Sequence, residues 1–279
     1  MSQDLSSRRN DVPARQLPPA VGGVDGPVTF RGVLASEWLK FWTLRSTVLV
    51  LLAAMVALVV FGAVIGHNTR HVAGLDPEDV VASGPLQGYY LGQLLIGALG
   101  VMVVTNEYSS GMIRATLAAV PRRVPVLLAK VLVFAGVVGT GMVAASIAAF
   151  LVAQRFLAGY RPTYSLSDPH VLRVVVGTGI YLTLIGLLGG AIGWIVRSTP
   201  GALVTLLGTI LVVPVLLLLF KGSWAEHLRA WLPTGAGQSF STSLRMPGAL
   251  APWPGLVVMV AWVVCATVLA GVLLRRRDA

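Results

Sequence analysis

Charged residues are scarce in this chain. Asp, Glu, Lys and Arg together make up 11% of its 279 residues, whereas soluble globular domains carry about 25%. Hydrophobic residues make up 56%, and the mean hydropathy is +0.80. This balance excludes an ordinary soluble domain and is typical of a protein that spans a membrane.

Cysteine and histidine are also few. The single cysteine, Cys265, excludes an intrachain disulfide framework and a cysteine-rich metal site. Of the four histidines, His67 and His71 lie four residues apart ahead of several carboxylates, a spacing that would suit a metal ion on a helix. Gly74 and Pro77 break that segment, so we interpret it as a solvated loop without a metal.

Catalytic motifs are missing as well. The chain has no G-x-S-x-G or H-E-x-x-H pattern, and none of its lysines is followed by Ser or Thr, as the phosphate-binding loop requires. We therefore predict no catalytic residue, no metal ligand and no cofactor in this chain. The apolar runs contain no carboxylate, the usual signature of an ion-coupled carrier. The missing carboxylate does not exclude a carrier that binds sodium through backbone carbonyls.

What the chain does have is long apolar runs. A transmembrane helix needs about 20 apolar residues to cross the hydrocarbon core. The sequence predicts six such spans, over residues 47–66, 87–105, 126–153, 174–196, 199–220 and 255–274. The one charge inside them is Lys130, whose long side chain we expect to reach the membrane interface.

The basic residues are distributed unevenly between the loops. The net charge is +10, and with the N-terminus inside the cell the cytoplasmic segments hold twice as many Lys and Arg residues as the outer ones. This bias predicts a multi-pass protein of the plasma membrane with both termini in the cytoplasm. It also explains the basic character without nucleic acid. Arg155, Arg161 and Arg173, in an outer loop, run against the rule.

The region before the first span divides into two parts. Residues 1–27 are polar and rich in Pro and Gly, which predicts a disordered cytoplasmic tail without a cleavable signal peptide, ahead of a membrane domain over 28–279. Residues 28–45 follow a helical pattern that predicts a helix in the membrane interface, with a plain extension of the first span as the alternative. The aromatic residues of this helix are Phe30, Trp38, Phe41 and Trp42, with Lys40 on the other side.

Glycines recur at four-residue spacing inside the spans. Such pairs let two helix backbones approach closely in lipid. We predict close helix packing at Gly62, Gly66, Gly186, Gly189, Gly190 and Gly193.

The fifth span and the loop after it carry two further signals. Pro214 lies inside the span and should kink it, because proline lacks the backbone N–H and its ring clashes with the preceding turn. In the loop over 221–254, Trp224, Leu228 and Trp231 occur at helical spacing, which predicts one or two short helices in the outer interface.

A polar insert, NEYSSGMIRATLAAVPRR, separates the second and third predicted spans and would face the cytoplasm. Ser109 or Ser110 can cap a helix with Glu107 near its positive end, and Pro121 stops it. Residues 107–121 are therefore predicted to form a short amphipathic helix with a basic exit, and an interface-lying linker is the alternative. The apolar face is formed by Ile113, Leu117 and Val120, and Arg114 falls outside it.

Three stretches resemble the membrane subunits of ABC-2 type transporters in the actinobacterial multidrug-export style. They are SEWLKFWTLRSTV before the first span, NEYSSGMIRATLAAVPRRVPVLLAK at the insert and LPTGAGQSF in the last outer loop. The resemblance covers the chain from about Phe30 to its end. The family pattern at the insert is matched by Glu107, Ser110, Gly111, the run 113–117, Pro121, Arg122 or Arg123, and Lys130.

The resemblance implies an all-α integral membrane protein with six transmembrane helices. An N-terminal connecting helix (28–45), a cytoplasmic coupling helix between spans 2 and 3 (107–121) and short outer helices before span 6 would accompany them. The implied function is a permease subunit that forms the translocation path and exports an amphipathic or drug-like substrate. From the residues alone, a self-contained carrier or channel is the alternative.

The resemblance also implies partners. They are a separate ATPase subunit, which would bind ATP and Mg²⁺, a second permease subunit, either identical or a sibling chain, and the lipid bilayer. On this interpretation Met112, Ile113 and Leu117 press into a groove on the ATPase. Arg114, Arg122 and Arg123 would pair with the ATPase surface or with lipid phosphates.

Overall fold

The fold was analysed in a computed structural model that describes residues 29–69, 84–112, 123–160, 163–220, 222–243 and 248–276. Every regular element in these ranges is helical. The α-helices are α1 (Phe30–Thr43), α2 (Arg45–Thr69), α3 (Tyr89–Ser109), α4 (Arg123–Leu157), α5 (Val171–Val196), α6 (Thr199–Leu207), α7 (Val213–Leu217), α8 (Ser223–Trp231), α9 (Pro233–Ser241) and α10 (Pro252–Arg276). A 3₁₀ turn, Gly84–Leu86, precedes α3, and a π-helical turn, Gly208–Val212, joins α6 to α7.

The six predicted spans are confirmed. Six helical stretches in the described part of the chain are long and apolar enough to cross a membrane. Spans 1 to 4 and span 6 correspond to α2, α3, α4, α5 and α10, and span 5 consists of α6, the π-helical turn and α7. Span 3 is the longest: the 35 residues of α4 extend over about 52 Å at 1.5 Å per residue, so it projects beyond a hydrocarbon core of about 30 Å.

Helix α5 lies at the centre of the bundle. In its most apolar stretch 72% of the residues are buried, against 17% in spans 5 and 6. Tyr181, Leu182 and Ile185 of α5 are fully enclosed by their neighbours. Spans 1, 5 and 6 therefore form the outside of the chain and present most of their apolar surface to the surrounding membrane.

Glycines allow the close contact between α3 and α5. A Cβ atom built on Gly100 would overlap the carbonyl oxygen of Gly186, and one built on Gly189 would overlap the carbonyl oxygen of Gly97. Gly190 and Gly193 lie farther along the same contact, beside Gly100 and Val104. Backbones at this distance leave no room for side chains, which explains the glycines on both helices.

A second glycine contact joins α2 to α4. Cβ atoms built on Gly62 and Gly66 would lie 2.7 Å from the carbonyl oxygen of Ala149 and 2.9 Å from that of Ala153. The glycines selected from the sequence are thus occupied by contacts within one chain.

Span 5 is interrupted just before its proline. The N–H of Val213 donates to the carbonyl of Gly208, five residues back, and Pro214 follows with no N–H to donate. The hydrogen-bond pattern therefore changes from α to π over Gly208–Val212 and back again at α7. The kink was predicted at Pro214, and the irregular backbone lies in the π-helical turn just before that residue.

Two short helices, α8 and α9, lie in the loop between spans 5 and 6. Helix α9 packs on α5, where the Thr178 hydroxyl donates to the carbonyl of Ser241 at 3.3 Å. The indole N–H of Trp262 in α10 donates to the carbonyl of Trp231 at 2.9 Å, which ties the end of α8 to span 6. These contacts hold both helices against one end of the bundle.

Candidate functional site

Helix α1 packs against the start of α4. It begins at Thr29, whose hydroxyl accepts the N–H of Gly32 at 3.3 Å. The face turned to the protein repeats every four residues, at Val33, Glu37 and Phe41. Val33 belongs to a small apolar cluster with residues of α4, and the ring centroid of Phe41 lies 6.5 Å from that of Phe134. Packing therefore places a carboxylate, Glu37, between two apolar contacts.

The predicted aromatic face of α1 is divided between two environments. Phe41 is buried, whereas Phe30, Trp38 and Trp42 are about half exposed and point away from the bundle. Exposed aromatic rings at the end of a span suit the membrane interface, where one part of the ring is apolar and the other wet. Phe41 does not share that environment, because its ring packs against Phe134 of α4.

Four charged side chains meet where α1 packs against α3 and α4. They are Glu37 and Lys40 of α1, Glu107 of α3 and Lys130 of α4, and together they are called the four-charge cluster. Lys130 Nζ lies 2.6 Å from Glu37 Oε2 and 3.0 Å from Glu107 Oε1. Lys40 Nζ lies 2.7 Å from Glu37 Oε1 and 3.1 Å from the same Glu107 Oε1. Each ammonium group therefore binds both carboxylates, and the formal charges cancel.

The cluster is buried. The side chains of Glu37, Glu107 and Lys130 are 3%, 6% and 7% exposed, and Lys40 is 23% exposed. Burying an ion costs several kcal/mol, and the cost is offset only when the ion is paired and hydrogen-bonded. Removing one partner alone would leave an uncompensated charge, so the four residues stabilise α1, α3 and α4 as a unit.

The pKa values of Glu37 and Lys40 are shifted by the ion pairs of the four-charge cluster. Burial by itself would raise the pKa of Glu37, but the ammonium groups of Lys130 and Lys40 outweigh it and hold the pKa below its ordinary value. Burial would lower the pKa of Lys40, but Glu37 and Glu107 outweigh it and raise the pKa. Both groups therefore stay charged at neutral pH.

The cluster has no room for a substrate. The cavity beside it measures about 20 Å³, which is the space of roughly one water molecule. Its carboxylates are already bound by ammonium groups. The arrangement fits a permanent link between helices.

The structure corrects two expectations about these residues. Lys130 was expected to reach the membrane interface, but its ammonium group turns inward to Glu37 and Glu107, because these two carboxylates bind it directly. Glu107 was expected near the start of the helix in the insert, but it lies inside α3, before that helix ends at Ser109. Glu37 was missed, although it is the one carboxylate between residues 28 and 45 and lies three positions before Lys40, a spacing that favours an ion pair on a helix.

The described residues at the start of the insert form the last turn and the C-cap of α3, the helix of span 2. The hydroxyls of Ser109 and Ser110 donate to the carbonyl of Asn106 at 3.1 and 2.7 Å, so both serines belong to the end of α3. Gly111 follows with φ +71°, a left-handed conformation that favours glycine and is common just after the end of a helix. Met112 is 42% exposed. Arg123 is the first residue of α4, and Ile113, Arg114, Leu117, Pro121 and Arg122 lie outside the described residues.

A second contact at this end joins spans 2, 4 and 5. The Arg197 guanidinium lies 5.5 Å from the ring centroid of Tyr108, which contacts Trp194 edge to face. The Thr199 hydroxyl donates to the hydroxyl of Thr105 at 2.8 Å. The ends of these spans are therefore connected beside the insert.

The chain matches a known protein family over most of its length. A family model described as "ABC-2 family transporter protein" matches residues 33–211. The match begins on the buried face of α1, includes the whole four-charge cluster and ends inside span 5. A search of curated proteins found no match to the chain.

Proposed function

The chain belongs to the ABC-2 transporter family, and on that premise we propose that it forms the translocation path of an exporter driven by a separate ATPase subunit. Members of this family are membrane subunits of ABC transporters and generally work with an ATPase. The match over residues 33–211 carries the proposal. The six membrane-crossing helices support it.

The insert between spans 2 and 3 is the proposed docking segment for the ATPase. Gly111 directs the chain out of α3, and the exposed Met112 begins the apolar face that we propose Ile113 and Leu117 continue. An amphipathic helix that lays its apolar face in a groove is a common mode of recognition. Arg114, Arg122 and Arg123 would pair with acidic groups of the ATPase or with lipid phosphates.

The four-charge cluster supports a mechanical role for this segment. It binds the end of α3 and the start of α4, the two helices that flank the insert, to each other and to α1. A displacement of the insert would therefore move three helices together. Reversing a 1:99 equilibrium between two states requires about 5.5 kcal/mol of differential binding, and a rigidly connected segment can transmit it.

The proposed assembly contains two permease subunits, either identical or siblings, and two ATPases. ATP binding would draw the ATPases together and carry the inserts with them, which would tilt the spans from inward-open to outward-open. Because the selected glycines are used inside one chain, the contact between permeases would involve the exposed apolar faces of the outer spans.

The proposal is tested by purifying the tagged chain from its own cells and identifying copurified ATPases by mass spectrometry. Ile113→Asp combined with Leu117→Asp should abolish copurification without reducing membrane insertion, because charges would face the apolar groove. Ala115→Asp combined with Ala118→Asp places the same charges on the opposite predicted face and should retain the ATPase. Solute flux through liposomes that contain this chain and no ATPase would contradict the proposal and favour a self-contained carrier.

A further inference from the structure

A cavity of about 230 Å³ lies at the end of the bundle opposite the four-charge cluster. The start of α3, the second half of span 5, α8 and α9 surround it. One wall is apolar and is formed by Ile210, Leu211, Pro214 and Val215 of span 5. The other is polar and uncharged, with Gln93 from α3 and Thr234 and Gln238 from α9.

The polar wall contains a buried hydroxyl group without a hydrogen-bond partner among the described residues. Thr234 is 6% exposed, and its hydroxyl makes no hydrogen bond to any residue that the structure describes. Gln93 is 4% exposed and accepts the Tyr181 hydroxyl through Oε1 at 2.5 Å. Buried polar groups are normally hydrogen-bonded, so the Thr234 hydroxyl beside the Gln93 amide indicates a ligand that accepts or donates hydrogen bonds.

The apolar wall is the irregular part of span 5. Ile210 and Leu211 belong to the π-helical turn, and Pro214 follows it directly. Single π-helical turns inside α-helices occur frequently at functional sites. Leu211 and Val215 are also 45% and 52% exposed, so the wall continues without a break onto the surface that faces the membrane. An apolar molecule can enter the cavity sideways from the bilayer.

The charges around the cavity favour an uncharged ligand. The two charged lining residues are Glu226 and Arg229, which lie three positions apart on α8 and have opposite signs. Within the described residues, no charge lies on the wall that carries Gln93 and Thr234. A charged group there would lose its hydration without a counterion, which is costly.

We infer that this cavity binds an uncharged amphiphile. Its apolar body packs against the irregular turn of span 5, and its hydroxyl, carbonyl or amide group bonds to Thr234 and Gln93. Only the further step, that the amphiphile is the exported cargo, rests on the proposed function. Helix α3 carries Gln93 near one end and Glu107 near the other, so it connects the cavity to the four-charge cluster.

The test is photolabelling of the purified chain in lipid nanodiscs without an ATPase. The probe is a monoacylglycerol with a diazirine in its acyl chain, and the labelled residues are located by peptide mass spectrometry. We expect labels on the second half of span 5 and on α9. Thr234→Val keeps the side-chain shape and should weaken labelling there about threefold to tenfold through the lost hydrogen bond. Thr205→Val makes the same change in span 5 outside the cavity and should have no effect.

Charge selectivity and cavity filling complete the test. Unlabelled monoacylglycerol should compete with the probe, whereas an alkyl sulfate or alkyl trimethylammonium of the same chain length should not. Ala249→Trp, which fills the cavity from its edge, should also remove the labels. Labels that survive Thr234→Val and Ala249→Trp, or equal competition by charged amphiphiles, would overturn the inference. Failure of the wild-type chain to copurify with an ATPase would refute the proposed function alone, because ligand binding is measured without that partner.

Discussion

The ammonium group of Lys130 lies 2.6 Å from the carboxylate of Glu37, and this contact joins the third span to the helix that precedes the first. The two residues are 93 positions apart in the sequence. Glu107 and Lys40 complete the four-charge cluster from α3 and α1. The helices that flank the insert are thus held by ionic contacts at the end where the proposed motor would act.

Breaking the cluster on one side should destabilise the protein strongly. Lys130→Met leaves Glu37 and Glu107 with one ammonium group between them, and loss of one partner of a buried ion pair costs about 3–5 kcal/mol. We expect a clear drop in the thermal midpoint, measured by fluorescence-detected size-exclusion chromatography after heating in detergent.

Two variants serve as controls for that experiment. Lys130→Met combined with Glu107→Gln removes one charge of each sign and should recover part of the loss, since neutrality is restored. Arg155→Met removes an exposed cation from the same helix and should leave the midpoint unchanged. Equal midpoints for Lys130→Met and the wild-type chain would show that the cluster contributes nothing.

The contribution of Glu37 should depend on pH in a defined direction. Its pKa is lowered in the folded protein from an ordinary value of 4.5, so its stabilisation is present above that value and is lost as the pH falls through the folded pKa. Lys40 has a pKa raised from 10.5, so its contribution is present below 10.5 and is lost only as the pH rises beyond it. The stabilisation by this pair should be constant from about pH 5 to pH 10.

The measurement compares the midpoints of the wild-type chain and Glu37→Gln over a pH series in detergent. The difference should be constant near neutrality and should shrink below pH 4.5. A difference that grows on acidification would contradict the assigned direction of the Glu37 pKa.

The contact between α3 and α5 should not tolerate any side chain at Gly100. A Cβ atom there would overlap the carbonyl of Gly186, so Gly100→Ala must separate the two helices. We expect a loss of about 1–3 kcal/mol, the usual cost of overpacking, seen as a lower midpoint and reduced folded yield. Gly136→Ala is the matched control, because the space around Gly136 is open. An unchanged midpoint for Gly100→Ala would show that the helices are farther apart than described.

The six spans could be predicted because their signal is local. An apolar run of sufficient length identifies a span without knowledge of its neighbours. The predicted ends fell short where polar residues continue a helix: Asn106 and Glu107 still belong to α3, and α4 begins at Arg123, before the first apolar residue of the predicted run. Hydropathy indicates which residues can lie in the hydrocarbon core, whereas the ends of a helix depend on its backbone hydrogen bonds.

The four-charge cluster could be predicted only in part. Lys130 was recognisable as an unusual charge in an apolar run, but its partners come from residues 93 and 23 positions away. Which helices are neighbours is decided by packing, as at Gly100 and Gly186, and one sequence does not contain that information directly. The cavity between α3, span 5, α8 and α9 was missed for the same reason, since Gln93 and Thr234 line it together only after α9 packs on α5.

The orientation of the insert tests the central claim most directly. Ala115→Cys in a chain with Cys265→Ala is exposed to a membrane-impermeant thiol reagent, first on intact cells and then after permeabilisation, with Ser167→Cys as the control for the outer side. If spans 2 and 3 receive work from a cytoplasmic ATPase, position 115 reacts only after permeabilisation, and position 167 reacts in intact cells. Labelling of position 115 in intact cells would contradict the account.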